Sequence, residues 1–180
     1  MKNDFSLIES YYHGKSSGVD ALTSFTGSSL YFKDDGHIEA VNLDLKDLPM
    51  GYRFFLLNTH AKYETGPLVE AFFEKMKDEG FKKLIEEDYL PMNKKFIESL
   101  LGIRKADPAM IFRIISDFQH AHFRRMIPES MLDTWIDGQV GNEYYLKLSG
   151  AGGGFLLGMC HYTGIDSVKR RFGADLMWVE

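Results

Sequence analysis

The chain holds a single cysteine, Cys160, in the apolar run FLLGMC. No disulfide can form within it, which points to a reducing, cytoplasmic setting. A buried small hydrophobe is the ordinary reading of such a residue. No run approaches the roughly 18 apolar residues that a membrane-crossing helix needs. The N-terminal MKNDFSLIESYYHGKSSG lacks the apolar segment of a secretory signal. Basic residues are also scarce: 21 Lys and Arg stand against 26 Asp and Glu, a net charge of −5. That balance argues against a nucleic-acid binder. It leaves a small anionic ligand open, because a local patch can oppose the net charge. Internal repeats and low-complexity tracts are absent. What remains is 180 residues, 44% hydrophobic and 26% charged, enough for a soluble globular fold with a full core.

The pattern along the chain gives an order of elements. Residues 1–12 read as the last turns of a helix. Residues 13–28 read as a loop around a short apolar element. SLYFK and HIEAVNL form a hairpin across Asp34, Asp35 and Gly36. YRFFLLNT (52–59) is a continuous apolar run that fits a buried strand. Thr65 and Pro67 open a helix expected to stop at Gly80. A second helix runs from Leu84 towards Leu101, broken near Pro91. Asp107-Pro108 starts a third, with Met110, Ile111, Ile114, Ile115, Phe118 and His122 as its apolar stripe. A fourth opens at Pro128, turns Met131, Leu132, Trp135 and Ile136 inward, and ends at Gly138. Two strands (144–148 and 155–160), a short helix and a last strand follow. Strands and helices segregate, so the class is α+β with a largely antiparallel sheet. The polar stretch DLKDLPMG (44–51) is the one plausible boundary.

Residues 149–154, SGAGGG, place four glycines between two strand-like segments. A tight hairpin needs one or two. Each further glycine costs roughly 0.5–1 kcal/mol relative to alanine. A turn is one reading. The other is an anion-binding concavity of bare backbone N–H groups that a phosphate can approach closely. A second stretch, HGKSSGVDA, sets the carboxylate of Asp20 behind small, flexible residues.

These stretches resemble motifs of the GHMP kinase family. Lys147-Leu148-Ser149-Gly150-Ala151-Gly152-Gly153-Gly154 is similar to the family's third motif, K-L-[ST]-G-A-G-G-G. His13-Gly14-Lys15-Ser16-Ser17-Gly18-Val19-Asp20 resembles H-G-x-P-S-G-[IV]-D, most typical of the mevalonate kinase branch. Leu57-Asn58-Thr59-His60 and Glu64-Thr65 resemble the strand, loop and helix between them. The resemblance implies a C-terminal GHMP domain, ferredoxin-like, over residues 47–180. Residues 1–46 would be the tail of the N-terminal domain, ending in its last hairpin. It implies Mg²⁺ and ATP as cofactors and a small alcohol as acceptor, mevalonate-like, in isoprenoid biosynthesis. Asp20 matches the acidic residue beside the substrate hydroxyl, as catalytic base or orienter. Ser17, Gly18 and Thr59 fall near the substrate. Ser149, Gly150, Ala151, Gly152, Gly153 and Gly154 fall near the nucleotide phosphates.

The sequence also departs from the pattern. Ser16 replaces the expected proline, and Phe155 replaces a further glycine. The family's G-L-G-S-S-[AS]-A nucleotide loop and early lysine have no counterpart in residues 1–12. The chain is therefore expected to act with a protein partner or a segment that supplies the first half; self-association is a further option. The alternatives are a non-catalytic binding module of the same fold and a sugar kinase of the same family. Neither membrane nor nucleic acid is expected as a partner, nor a protein-bound metal: His120 and His122 are spaced i, i+2, off one helical face. Lys62 reads as a surface lysine, Arg124 and Arg125 as a solvated helix end. Phe54, Phe55, Phe72 and Phe73 read as core.

Overall fold

The computed structural model describes residues 2–13, 17–33, 35–43, 45, 48–61, 65–150 and 154–179. The chain forms two compact units, Met1–Leu43 and Asp44–Glu180.

The first unit pairs helix α1 (Lys2–His13) and helix α2 (Val19–Thr26) with a hairpin of β1 (Ser29–Phe32) and β2 (Ile38–Val41). The hairpin register runs from Ser29↔Val41 to Phe32↔Ile38. Asp35 Oδ1 accepts the His37 N–H at 3.0 Å, so the aspartate organises the turn. Phe5 and Phe25 bring α1 and α2 together, with ring centroids 5.3 Å apart. Helix α2 corrects the loop expected over 13–28. Asp20 in its first turn suits the helix dipole. Leu22 is buried, and the Gly27 N–H closes the end on Thr23 O at 3.0 Å.

The second unit is built on an antiparallel sheet. Its strands are β3 (Tyr52–Asn58), β4 (Tyr144–Leu148), β5 (Phe155–His161) and β6 (Leu176–Trp178), in the order β4-β5-β3-β6. The chain passes strand, helices, strand, strand, helix, strand, the split βαβ arrangement. Both faces are covered, which explains the unbroken apolar run of β3. Phe55 and Leu57 pack with Trp135, Tyr144, Leu156 and Val168. Phe54, between them in sequence and pointing the other way, packs with Phe96, Phe112, Ile115 and Met159.

The helices differ from the sequence reading in four places. Helix α3 (Thr65–Lys75) stops before Gly80, because Asp78 Oδ1 accepts the Phe81 N–H at 2.7 Å and starts α4 (Glu79–Leu84). Pro91 does not break the next helix. A π-helical turn, Ile85–Tyr89, leads directly into α5 (Leu90–Leu100), and this wider turn precedes the proline. In α6 (Pro108–His122), Asp107 caps as expected, accepting the Ala109 N–H at 2.8 Å. Its buried face, however, carries Ile111, Phe112, Ile115, Ser116 and Gln119, while Met110 is 66% exposed. Two polar residues face inward there, and apolar periodicity does not register them. Helix α7 (Leu132–Gly141) begins after a 3₁₀ turn and runs through Gly138. A Cβ at Gly138 would lie 2.4 Å from the Tyr144 ring, so close packing rather than a helix stop requires that glycine. Ile136 and Phe73, expected inside, are exposed. Helix α8 (Ile165–Phe172) covers the sheet through Val168. Among the described residues no helix is long and apolar enough to cross a membrane.

Candidate functional site

The end of β3 and the glycine stretch meet. The Thr59 N–H donates to Gly154 O at 2.9 Å, one step beyond the last β3–β5 pair, Asn58↔Phe155. The Thr59 hydroxyl reaches the same carbonyl at 3.3 Å. It also accepts the Ala61 N–H at 3.2 Å, while Asn58 Oδ1 accepts the His60 N–H at 2.9 Å. His60 sits at φ 54, a left-handed conformation held by these turns. Its Nε2 lies 2.6 Å from Asp175 Oδ1, which ties the turn to the segment before β6. Thr59 itself is buried.

Ser149 and Gly150 leave β4 on the exposed surface, with Gly150 at φ 79. Gly154 is exposed and has no positive φ. A Cβ placed there would meet nothing within 4 Å. Neither backbone conformation nor packing within the chain demands glycine at 154. Ala151, Gly152 and Gly153 lie outside the described residues, as does Lys62.

The other predicted residues gather at the start of α2, within the first unit. Gly18 occupies the N-cap at φ 69 and ψ 7, where a side chain would be strained. Its carbonyl accepts the Leu22 N–H at 3.1 Å. Ser17 Oγ accepts the Val19 N–H at 3.4 Å. Asp20 stands exposed in the first helical turn. The structure thus groups Ser17, Gly18 and Asp20 in one unit, and Thr59, Ser149, Gly150 and Gly154 in the other.

Three residues at the base of the glycine stretch escaped the sequence reading of the site. β4 is an edge strand, and its last residue is held by side chains. The Leu148 N–H donates to Gln119 Oε1 at 2.7 Å, and Gln119 Nε2 donates to the Tyr89 hydroxyl oxygen at 2.7 Å. Burial raises the Tyr89 pKa. Lys147 Nζ donates to Leu148 O at 2.9 Å. Burial holds the Lys147 pKa below the usual lysine range. Tyr89 comes from the π-helical turn and Gln119 from α6, so two helices fix the strand end that launches the loop. No signal in the sequence separates this glutamine from a surface one.

A groove of about 1000 Å³ opens elsewhere in the second unit, between α3 and the end of α6. Leu68, Phe72 and Met126 line it, with Lys75, Arg124 and Arg125 around it. Lys75 Nζ is engaged by His122 O at 2.7 Å, and Arg124 lies 3.2 Å from His120 Nε2. His122 stacks on Phe118, and its pKa is lowered by burial and then by Lys75. None of the residues of the glycine stretch lines this groove. Among the described residues no three metal-ligating side chains cluster.

No family model matches the chain, and no curated protein is significantly similar to it in sequence. Solved structures do match. One is L. major mevalonate kinase in complex with R-mevalonate, with a TM-score of 0.68 and 17% identity over 94% of this chain. The match covers 54% of that kinase, so the chain spans about half its length. At this identity the likeness shows the fold alone, and that fold is GHMP-kinase-like, mixed helix with antiparallel sheet.

Proposed function

We propose that the chain is the acceptor-side and phosphate-proximal part of an ATP-dependent kinase of the GHMP kind. Its substrate is the hydroxyl of a small carboxylate-bearing metabolite, most like mevalonate. One observation carries the reading. Gly154 is held by Thr59, yet its lack of a side chain answers no need of the chain itself. Bare backbone at such a point suits the close approach of a phosphate. Two further features support it: the GHMP-kinase-like fold, and Asp20 at the head of a helix next to Ser17 and Gly18.

Phosphoryl transfer asks a protein mainly to position groups and to stabilise charge. Bound Mg²⁺·ATP supplies the phosphoryl group and neutralises its charge. Ser149, Gly150 and Gly154 would offer backbone to the phosphates, and their exposure fits that use. Asp20 would accept or orient the hydroxyl proton of the acceptor. Thr59 would place the acceptor beside the loop. The nucleotide loop that this sequence lacks would come from a partner polypeptide or a further segment.

The test is transfer of labelled γ-phosphate from Mg²⁺·ATP to R-mevalonate. It is run on the chain alone and with a polypeptide that carries the G-L-G-S-S loop. Transfer in the second mixture only is the expected result. Ligand binding without transfer in either mixture would mark the chain as a non-catalytic module.

A further inference from the structure

Lys147 carries a charge that the described chain does not answer. It stands in β4 opposite Leu157, which in turn stands opposite Leu56 of β3. Part of the residue remains accessible, but its ammonium end is enclosed. An ammonium has three donors. One goes to Leu148 O at 2.9 Å, and no carboxylate among the described residues pairs with the group. A buried cation without a partner is costly, and folds ordinarily supply an acid or place an apolar residue instead. This chain does neither, and it does so at one particular point. The carbonyl that Lys147 engages belongs to the residue directly before Ser149, where the glycine stretch begins.

The Leu148 peptide is also unusually well fixed. Its N–H is taken by Gln119, which is 3% exposed and itself held by Tyr89. The ammonium is thus anchored to a carbonyl that cannot drift. Its two unused donors are the complement of an anion with several acceptor oxygens.

We propose that Lys147 is an anion-contacting residue of the glycine loop, its two remaining N–H donors taking a phosphate-bearing ligand. This rests on the reading of the loop as phosphate-proximal. In that role the unpaired charge is a cost in the empty protein that ligand binding relieves.

The experiment titrates sodium tripolyphosphate into the full chain and into Lys147→Met, with Lys169→Met as the control on exposed α8. Methionine keeps the length of the side chain, and removing an unpaired buried charge is neutral or stabilising. The affinity of Lys147→Met should fall about 10- to 100-fold, the range of a charge-assisted hydrogen bond. Its melting temperature should hold or rise, and Lys169→Met should match the parent. In the parent chain with ¹³C-labelled lysines, the Lys147 ε-methylene signal should shift on titration while that of Lys169 stays. That readout needs no variant to fold. Parent binding with Lys147→Met within twofold, or with an unmoved Lys147 signal, overturns this inference and leaves the loop assignment standing. A joint loss of affinity and melting temperature with an unmoved signal assigns Lys147 a structural role and overturns it too. No binding by the parent overturns the loop assignment, and this inference with it.

Discussion

Gln119 does more for the second unit than its residue type suggests. Its amide satisfies two buried groups at once, the Leu148 N–H and the Tyr89 oxygen. Gln119→Leu keeps the volume and leaves both without a partner. Each unsatisfied buried group costs about 1–3 kcal/mol. Chemical denaturation should therefore show a loss of roughly 2–4 kcal/mol for Gln119→Leu. A loss under about 0.5 kcal/mol, the level of an ordinary surface change, would mean that the bridge contributes little. Cys160 gives a second expectation at this scale. Burial raises its thiol pKa from 9.0 to about 11. The unfolded chain then loses its thiol proton at lower pH than the folded one. Stability from this group is whole below pH 9 and falls as pH rises through about 11. Tyr144, raised by burial to about 12, acts in the same direction over a higher range. Lys147, with its pKa lowered, acts in the opposite one. Comparing Cys160→Ala with the parent cancels both backgrounds. The melting-temperature gap between them should shrink from pH 8.5 to pH 11 as the parent loses about 2–3 kcal/mol. A constant gap would contradict the assigned burial effect.

Among the elements, α7 and β4 are fitted around one missing side chain. A methyl group at Gly138 would meet the Tyr144 ring at 2.4 Å and the Tyr144 carbonyl oxygen at 2.7 Å. The backbone atom cannot swing aside. Gly138→Ala, which elsewhere in a helix adds stability, should here cost about 1–3 kcal/mol through overpacking. A variant as stable as the parent by urea titration would show that the α7–β4 packing is looser than described. This glycine also shows where sequence reasoning fails. A glycine near the end of an apolar period reads as a stop, and only the ring opposite reveals the other use. The stripe of α6 failed for a related reason. Ser116 and Gln119 point inward because Gln139 and the Leu148 amide await them, and those partners lie far away in sequence. What was legible had local causes. The β3 run, the Asp107-Pro108 cap and the Asp35 turn each rest on a few adjacent residues. The candidate site divides in the same way. Thr59, Ser149, Gly150 and Gly154 stood out through the motifs they resemble. The enclosure of Lys147 and the Gln119 bridge depend on tertiary neighbours and could be seen only in the fold.

For the whole molecule, the account assigns two residue groups, one in each unit, to one chemistry. Asp20 in the first unit is to handle the acceptor proton. The glycine stretch in the second is to lie beside the phosphates that move. Phosphoryl transfer from Mg²⁺·ATP to R-mevalonate tests that assignment most directly. It compares the parent chain, Asp20→Asn and Asp35→Asn, each with a polypeptide supplying the nucleotide loop. Asparagine keeps the size of aspartate and removes its charge and its capacity to accept a proton. Asp20→Asn should lower the rate by about 10²–10⁴-fold, the usual general-base contribution. Acceptor binding should change far less, since binding is separable from transition-state stabilisation. Asp35→Asn alters only the β1–β2 turn and should keep the parent rate. Transfer by the parent with Asp20→Asn within about threefold of it, or an equal loss in both variants, would contradict the catalytic assignment. No transfer by the complemented parent would contradict the kinase reading itself.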